Sequence, residues 1–456
     1  KEVFANFMAD KIMNPAFPDI NHNLQFLTAH YSSAYDEDRT KGSHPIRQNL
    51  TNLKNAGSLY GSIIYNKAPI MMRQLETTMG KEVFQKGIQK YIQKYANSNA
   101  DWEDLVEILD KGTTLNMKKW SDVWVNQSGR ALFTDHIEYG DAQTIKNFVL
   151  RQQAEDGSPN VWPQIFEIGL VYPDTIKVIQ VNVNSRITEI KEAIGLQKPI
   201  SVIYNYNGYG YGVFPIDPNN LDKTPEIKDE VARAYSYINA YENTLTGKIT
   251  AVKAFDVFVK GIAVEQNELI VKLLSNQLSS IFWDFLTIKQ QVVAQAELEQ
   301  LLFNKLQTEL PSNIKKTIFG LFESIAYSKT GKEKLYQIWN KEIAIANLKL
   351  NEDDYINMAM DLAIYNHERS DEIVRKTRAV ISNLDKRKRF DFLLPSLSND
   401  LAVQDAFMES LKLQKNREKE AWVQVALANV HHPLRQDSSK KYLKECLGLI
   451  EEVQLT

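Results

Sequence analysis

Residues 166–183 read FEIGLVYPDTIKVIQVNV, and apolar side chains alternate with other residues on both sides of the turn signal Pro173-Asp174. Alternation with a period of two is typical of a β-strand, because successive side chains of a strand point to opposite faces. The same alternation returns at residues 200–206. Several short strands at such spacing predict a small β-sandwich, which we place at residues 129–218.

On both sides of this stretch, the apolar residues recur with the spacing of amphipathic helices. Residues 83–95 carry a regular apolar face, Pro69 is suited to a first helical turn, and Gly80 is a stop signal. Asp101 is a candidate N-cap for the helix after it. The first 128 residues are therefore predicted to be helices joined by loops.

From about residue 219 to the end the helical period persists without a fixed repeat length. Short helices joined by short polar turns favour a superhelical domain of the HEAT or armadillo kind. The fold class is thus mainly α with a small β domain. We predict three domains, at residues 1–128, 129–218 and 219–456.

Composition excludes several classes of protein. The 456 residues are 43% hydrophobic, with 54 basic and 57 acidic side chains and a net charge of -3. Such a chain can bury enough apolar surface to fold, and its near-neutrality argues against a dedicated nucleic-acid binder. No apolar run is long enough to span a membrane. A soluble protein is expected; cytoplasm or periplasm, and the oligomeric state, are left open.

Metal-ligating residue types are sparse. The single cysteine, Cys446, excludes both a disulfide framework within the chain and a cysteine-based zinc site. The seven histidines include no H-E-x-x-H motif and no pair four residues apart. A zinc site made wholly from this chain is therefore not expected.

Two further stretches have competing interpretations. Residues 208–212, GYGYG, lack the spacing of a phosphate-binding loop and no helical pattern follows, so a tightly packed strand is favoured. The basic residues between 375 and 389 favour a solvated helix face. A cationic wall that attracts a peptide carboxylate or another anionic partner is the functional alternative.

Four short segments agree with one known family in their order along the chain. They are KEVFA at 1–5, GSHPI at 42–46, IYNKA at 64–68, and the stretch 120–129 with its Trp and Gln-Ser-Gly. Together they resemble the aminopeptidase N-type zinc metallopeptidases, the gluzincin family: its Asn-Glu-Gly-Phe-Ala, Ser-His-Pro and Tyr-x-Lys-Gly segments and the end of its catalytic domain. The resemblance covers about the first 216 residues.

The resemblance implies roles for two residues. In this family an H-E-x-x-H motif supplies two zinc ligands and the general base, and a glutamate on the following helix supplies the third ligand, to which Glu2 corresponds. Tyr65 corresponds to the tyrosine that hydrogen-bonds the tetrahedral oxyanion. The alternatives are a surface glutamate at a helix end and a buried core tyrosine. Ala68-Pro69 stands where the family has glycine, which re-aims the backbone after Tyr65, and His44 is expected to be structural.

The function implied is that of a zinc aminopeptidase acting on peptide substrates. The chain would be its C-terminal part: the end of a thermolysin-like catalytic domain, a β-sandwich and the helical domain. Because it lacks H-E-x-x-H, the chain alone is expected to be inactive and to bind no zinc. The alternative is a catalytically dead peptide-binding or helical-repeat scaffold protein. Side-chain preference cannot be read from the sequence.

Overall fold

The computed structural model describes residues 2–50, 52 and 60–449, apart from the side chains of Glu2 and Leu449. Most of this part is helical and two small β-sheets lie between the helical regions, as the sequence predicts. The contacts divide the chain into two compact units, Lys1–Thr250 and Ala251–Thr456. Within the described residues, no helix combines the length and the apolar character needed to cross a membrane.

The helices of the first unit follow the predicted start and stop signals. Gly80 ends one helix in the left-handed region, at φ 83°, and Asp101 and Asp104 form a reciprocal capping box at the start of another. Pro15 lies inside the last turn of the first helix. The helices are α1 (Glu2–Ala16), α2 (His22–Asp38), α3 (Ala68–Met79), α4 (Lys81–Lys94), α5 (Trp102–Asp110), α6 (Met117–Asn126) and α7 (Glu230–Leu245).

Seven strands lie between α6 and α7. They are β1 (Ala131–Tyr139), β2 (Ile145–Ala154), β3 (Gln164–Val171), β4 (Ile176–Val183), β5 (Ile187–Glu189), β6 (Ser201–Tyr204) and β7 (Gly212–Val213). One sheet has the order β5-β2-β1-β7 and the other has the order β4-β3-β6. All pairs are antiparallel except β1 with β7.

The two sheets face each other through aromatic side chains. Phe133 of β1 meets Phe166 of β3 with ring centroids 5.7 Å apart, and Phe148 of β2 meets Tyr204 of β6 at 6.4 Å. Phe166, which opened the alternating pattern, is fully buried. The predicted burial of one face of β3 is confirmed.

Helix α7 joins the β region, although the sequence assigns it to the domain 219–456. The Tyr235 hydroxyl donates to the Gly212 carbonyl at 3.0 Å, and the Phe214 amide donates to Asn239 at 2.9 Å. These contacts place α7 in the same compact unit as the sheets, so the boundary between the units follows Thr250. The three-domain division stays a prediction.

Residues 208–212 are packed against their neighbours, as predicted, but only Gly212 belongs to a strand. A Cβ atom on Gly210 would lie 2.8 Å from the Phe214 ring, and one on Gly212 would lie 2.4 Å from the Ala131 carbonyl oxygen. The glycines therefore serve close packing, and no helix follows them as a phosphate loop would require.

The second unit is helical throughout its described residues. α9 and α10 both pack on α11, and α13 packs on α14. A superhelix of the HEAT or armadillo kind stays a prediction. The helices are α8 (Ala251–Val264), α9 (Glu268–Ser280), α10 (Ile288–Gln307), α11 (Ser312–Ile325), α12 (Lys329–Trp339), α13 (Glu352–Ile364), α14 (Ser370–Val380), α15 (Leu384–Leu397), α16 (Leu401–Ser410), α17 (Glu420–Val430), α18 (Gln436–Ser439) and α19 (Leu443–Leu449).

The basic residues between 375 and 389 lie on α14 and α15, on a face that solvent reaches. Lys376 pairs with Glu372 at 2.6 Å, and Arg378 with Asp391 at 2.5 Å. These cations are already partnered by carboxylates, which favours the solvated-face interpretation over a cationic wall.

Candidate active site

Tyr65 lies on a π-helical turn, Ile63–Lys67, that leads directly into α3. The Ala68 amide donates to the Ile63 carbonyl five residues earlier. Pro69 has no amide hydrogen to donate to the Tyr65 carbonyl, so regular α-helical bonding cannot continue through this point. Turns of this kind are frequent at functional sites.

The Tyr65 side chain is 36% exposed, and its ring lies 5.9 Å from that of Tyr60. Burial in the core, the alternative explanation for this tyrosine, is therefore wrong. Tyr65 is therefore a partly exposed residue of this turn. Its role as oxyanion donor stays a prediction.

Lys67, at the end of the same turn, is fully buried, as is Asp38 at the end of α2. The Lys67 ammonium lies 2.7 Å from an Asp38 carboxylate oxygen and donates to the Gly129 carbonyl, also at 2.7 Å. This ion pair ties the turn that carries Tyr65 to both α2 and the loop before β1. The buried Lys67–Asp38 pair therefore fixes the position of the turn that carries Tyr65.

The Asp38 carboxylate accepts three further hydrogen bonds. The donors are the Ser43 hydroxyl at 2.6 Å, the Tyr211 hydroxyl at 2.9 Å and the Gly129 amide at 3.0 Å. Burial by itself would raise the pKa of Asp38, but the Lys67 charge and the side-chain hydrogen bonds outweigh it and hold the pKa below its ordinary value. We call Asp38, Ser43, Lys67, Gly129 and Tyr211 the Asp38 cluster.

Three of the four segments that carry the family resemblance meet in the Asp38 cluster. Ser43 comes from the second segment, Lys67 from the third and Gly129 from the fourth. His44, next to Ser43, lies 3.0 Å from Glu37 and 2.7 Å from Gln48, which is the contact pattern of a structural histidine. These three segments thus have a shared structural role, because each contributes one residue to the same buried polar network.

Glu2, the predicted metal ligand, is the first residue of α1, and its side chain lies outside the described residues. The structure therefore leaves its role untested. Helix α1 packs against α3 and against the π-helical turn, so Glu2 and Tyr65 belong to neighbouring elements.

A zinc site needs at least three protein ligands. Within the described part of the chain, no three His, Cys, Asp or Glu side chains come close enough together to hold a metal ion. These residues alone do not fit a complete zinc site.

Comparison with known proteins supplies the wider context. The model of the peptidase family M1 domain matches residues 1–124. That stretch contains α1 to α5 and the π-helical turn, and it holds Asp38, Ser43 and Lys67. Residues 1–124 belong to the peptidase M1 family.

Several proteins to which this chain is similar are named as aminopeptidases. Aminopeptidase N of Streptomyces lividans is 24% identical over 263 residues, covering 54% of this chain and 30% of the relative. Aminopeptidase M1-D of Oryza sativa subsp. japonica is 34% identical over 157 residues, covering 34% and 18%. Human glutamyl aminopeptidase is 30% identical over 158 residues, covering 35% and 16%. The matched part spans less than a third of the length of each of these relatives.

Asp38 carries no signal in the local sequence, and Lys67 stands out there only as part of the segment IYNKA. A usable signal was present, since Lys67 stands immediately before the apolar run of α3, where a charged side chain needs a partner. The identity of that partner could not be read locally, because Asp38 belongs to a different helix.

Proposed function

We propose that the chain is the C-terminal part of a zinc-dependent aminopeptidase that hydrolyses N-terminal residues from peptides, and that it is inactive alone. In this proposal α1 to α6 form the C-terminal end of a thermolysin-like catalytic domain. The two sheets form the β-sandwich, and the second unit is the helical domain. Two zinc ligands and the general base belong to a part of the parent outside these 456 residues. Glu2 is the third ligand.

The observation that carries the proposal is the placement of Tyr65. Its exposed phenol stands on an irregular turn that the buried Lys67–Asp38 pair holds in place. A donor fixed before the reaction begins costs no reorganisation when negative charge develops on the substrate oxygen. The match of residues 1–124 to the family M1 domain and the names of the relatives support the same assignment.

In the proposed mechanism Tyr65 acts through its hydroxyl alone. The O–H donates a hydrogen bond to the oxygen of the scissile carbonyl as that oxygen becomes an oxyanion, and it keeps its own proton. Bound zinc would supply Lewis acidity at the same carbonyl. This chain by itself contributes the oxyanion donor, its rigid support and one carboxylate.

The direct test is Tyr65→Phe in the full-length parent. If the hydroxyl binds the oxyanion, kcat falls by about 10²–10³ with little change in KM, because the interaction exists only in the transition state. The melting temperature stays close to that of the wild type, since Tyr65 is exposed. Steady-state kinetics on an aminoacyl-anilide and a thermal melt give both quantities.

Tyr60→Phe is the matched control, because Tyr60 is 52% exposed and its ring neighbours that of Tyr65. It should leave kcat unchanged. Near-normal turnover of Tyr65→Phe would end the catalytic interpretation of this residue. A parent without H-E-x-x-H about eighteen residues before Glu2 would favour the catalytically dead scaffold instead.

A further inference from the structure

A cavity of about 370 Å³ lies between α1, α2 and α3, and Tyr65 is not among the residues that line it. Its size falls within the range of about 300–1,000 Å³ that is usual for small-molecule sites. The side chains relevant to its chemistry are Phe7, Asp10, Phe26, His30, Arg73 and Tyr209. Nothing in the proposed mechanism uses this cavity.

Arg73 is the buried cation of the cavity, with only 8% of the residue exposed. Its guanidinium lies between two aromatic rings, 4.7 Å from the centroid of Phe26 and 3.7 Å from that of Tyr209. The Nη2 group donates to the Asn23 side-chain oxygen, whereas Nη1 is buried with no hydrogen-bond partner in the described part of the chain. A buried charged donor without an acceptor is costly, so the site is suited to a ligand that brings an anionic oxygen.

Asp10 lines the same cavity and carries a charge opposite to that of Arg73. Its carboxylate has no hydrogen bond or ion pair with any other described residue, whereas the neighbouring Lys11 is paired with Glu76. Lys11 and Glu76 neutralise each other. The charges left for a ligand are therefore the buried cation Arg73 and the anion Asp10, together with Lys81, which also lines the cavity but is exposed to solvent.

His30 lies near both of these charges. Burial lowers the pKa of His30 and thereby favours the neutral ring, although the hydrogen bond with Asn66 and the charge of Asp10 act to raise the pKa. Its Nδ1 lies 3.1 Å from the Asn66 side-chain oxygen, to which a neutral ring donates. The other ring nitrogen, Nε2, is then an acceptor, which suits an ammonium group.

We propose that this cavity binds a free α-amino acid with an apolar side chain. Its carboxylate pairs with Arg73, its ammonium group with Asp10, and its side chain lies against Phe7 and Phe26. A zwitterion fits because the buried Arg73 and the unpaired Asp10 present opposite charges beside apolar rings, whereas the charge of Lys81 is exposed to solvent. The proposal needs no metal and does not rest on the proposed function.

Calorimetry on the 456-residue chain, with EDTA present to exclude metal-mediated binding, tests the proposal with L-leucine. The matched probes are 4-methylpentanoate, which lacks the amine, and 3-methylbutylamine, which lacks the carboxylate. Leucine should bind at least about tenfold more tightly than either probe, since each loses one charge-assisted contact. No binding of leucine, or equal binding of 4-methylpentanoate, overturns the proposal.

Variants identify the cavity as the site. Asp10→Asn should weaken leucine binding about tenfold and leave 4-methylpentanoate unaffected, whereas Arg73→Gln should abolish binding of both. Lys81→Gln removes an exposed cation from the same cavity and is the matched control, expected to change neither. Arg73 is buried and its variant risks misfolding, so Asp10→Asn decides: unchanged leucine binding there overturns the proposal, as does loss of leucine binding in Lys81→Gln.

Discussion

Asp38 and Lys67 hold the turn that carries Tyr65, and both are removed completely from solvent. Moving two charges out of water is expensive, and the pair is stable here because every oxygen of Asp38 also accepts hydrogen bonds. Removing one partner would leave the other as an uncompensated buried charge. The pair is therefore a sensitive point of the first unit.

Lys67→Met should lower the unfolding free energy of the first unit by about 3–5 kcal/mol, because it leaves Asp38 buried and unpaired. Urea denaturation monitored by circular dichroism measures the change. The control is Arg47→Ala, which breaks an ion pair between Arg47 and Glu103. Both of these side chains are about half exposed, so the loss of unfolding free energy should be about 1 kcal/mol or less. Equal small losses in both variants would contradict this account of the Asp38 cluster.

His432 makes the stability of the second unit depend on pH. Its ring packs on Trp283, with centroids 4.9 Å apart, and its Nδ1 accepts a hydrogen bond from the Leu434 amide. Burial, together with the charge of Arg435, lowers the pKa of His432 to about 4. The unfolded chain, with a pKa near 6.5, then binds more protons than the folded chain between these two values.

The contribution of His432 to the unfolding free energy of the second unit is accordingly complete above about pH 6.5. It is lost as the pH falls toward about 4. His432→Asn should make the melting temperature less dependent on pH across this window. Parallel pH profiles for His432→Asn and the wild type would refute the assignment.

At the scale of elements, strand β7 depends on a single glycine. Gly212 has φ 150°, and its carbonyl accepts hydrogen bonds from Tyr35 of α2 and Tyr235 of α7, both at 3.0 Å. The strand thereby joins two helices to β1. No side chain fits at this position, because a Cβ atom would lie 2.4 Å from the Ala131 carbonyl oxygen.

Gly212→Ala should destabilise the first unit by about 2 kcal/mol or more, through strain and displacement of β1. Gly320→Ala on α11 is the control, since a Cβ atom there meets nothing within 4 Å. It should instead stabilise its helix by about 0.5–1 kcal/mol. Thermal melts of the two variants therefore shift in opposite directions, and shifts of the same sign would be inconsistent with the close approach of β7 to β1.

At the scale of the whole molecule, metal content tests the proposed division of the active site. A lone carboxylate cannot hold zinc tightly, so elemental analysis of the dialysed chain should find well under one zinc per chain. Glu2→Gln is the matched variant and should give the same value. One tight zinc per wild-type chain, lost in Glu2→Gln, would show that the chain completes a site itself and would overturn the proposed division.

Local sequence determined the elements of this protein. The stop at Gly80, the cap at Asp101 and the alternation around Phe166 each depend on neighbours within a few residues, and the structure confirms all three. The resemblance of residues 1–124 to the M1 family was likewise readable, because short ordered segments carry it. Helix type, strand pattern and family are local properties.

Only the tertiary structure decided what those segments do. Asp38 meets Lys67 and Gly129 across three separate elements, α7 joins the β region, and Arg73 becomes the buried cation of a cavity. The local sequence identifies none of these partners, because they lie far apart in the chain and the strength of each contact depends on exclusion of water. Burial turned ordinary charged residues into the fixed support of Tyr65 and a candidate ligand site.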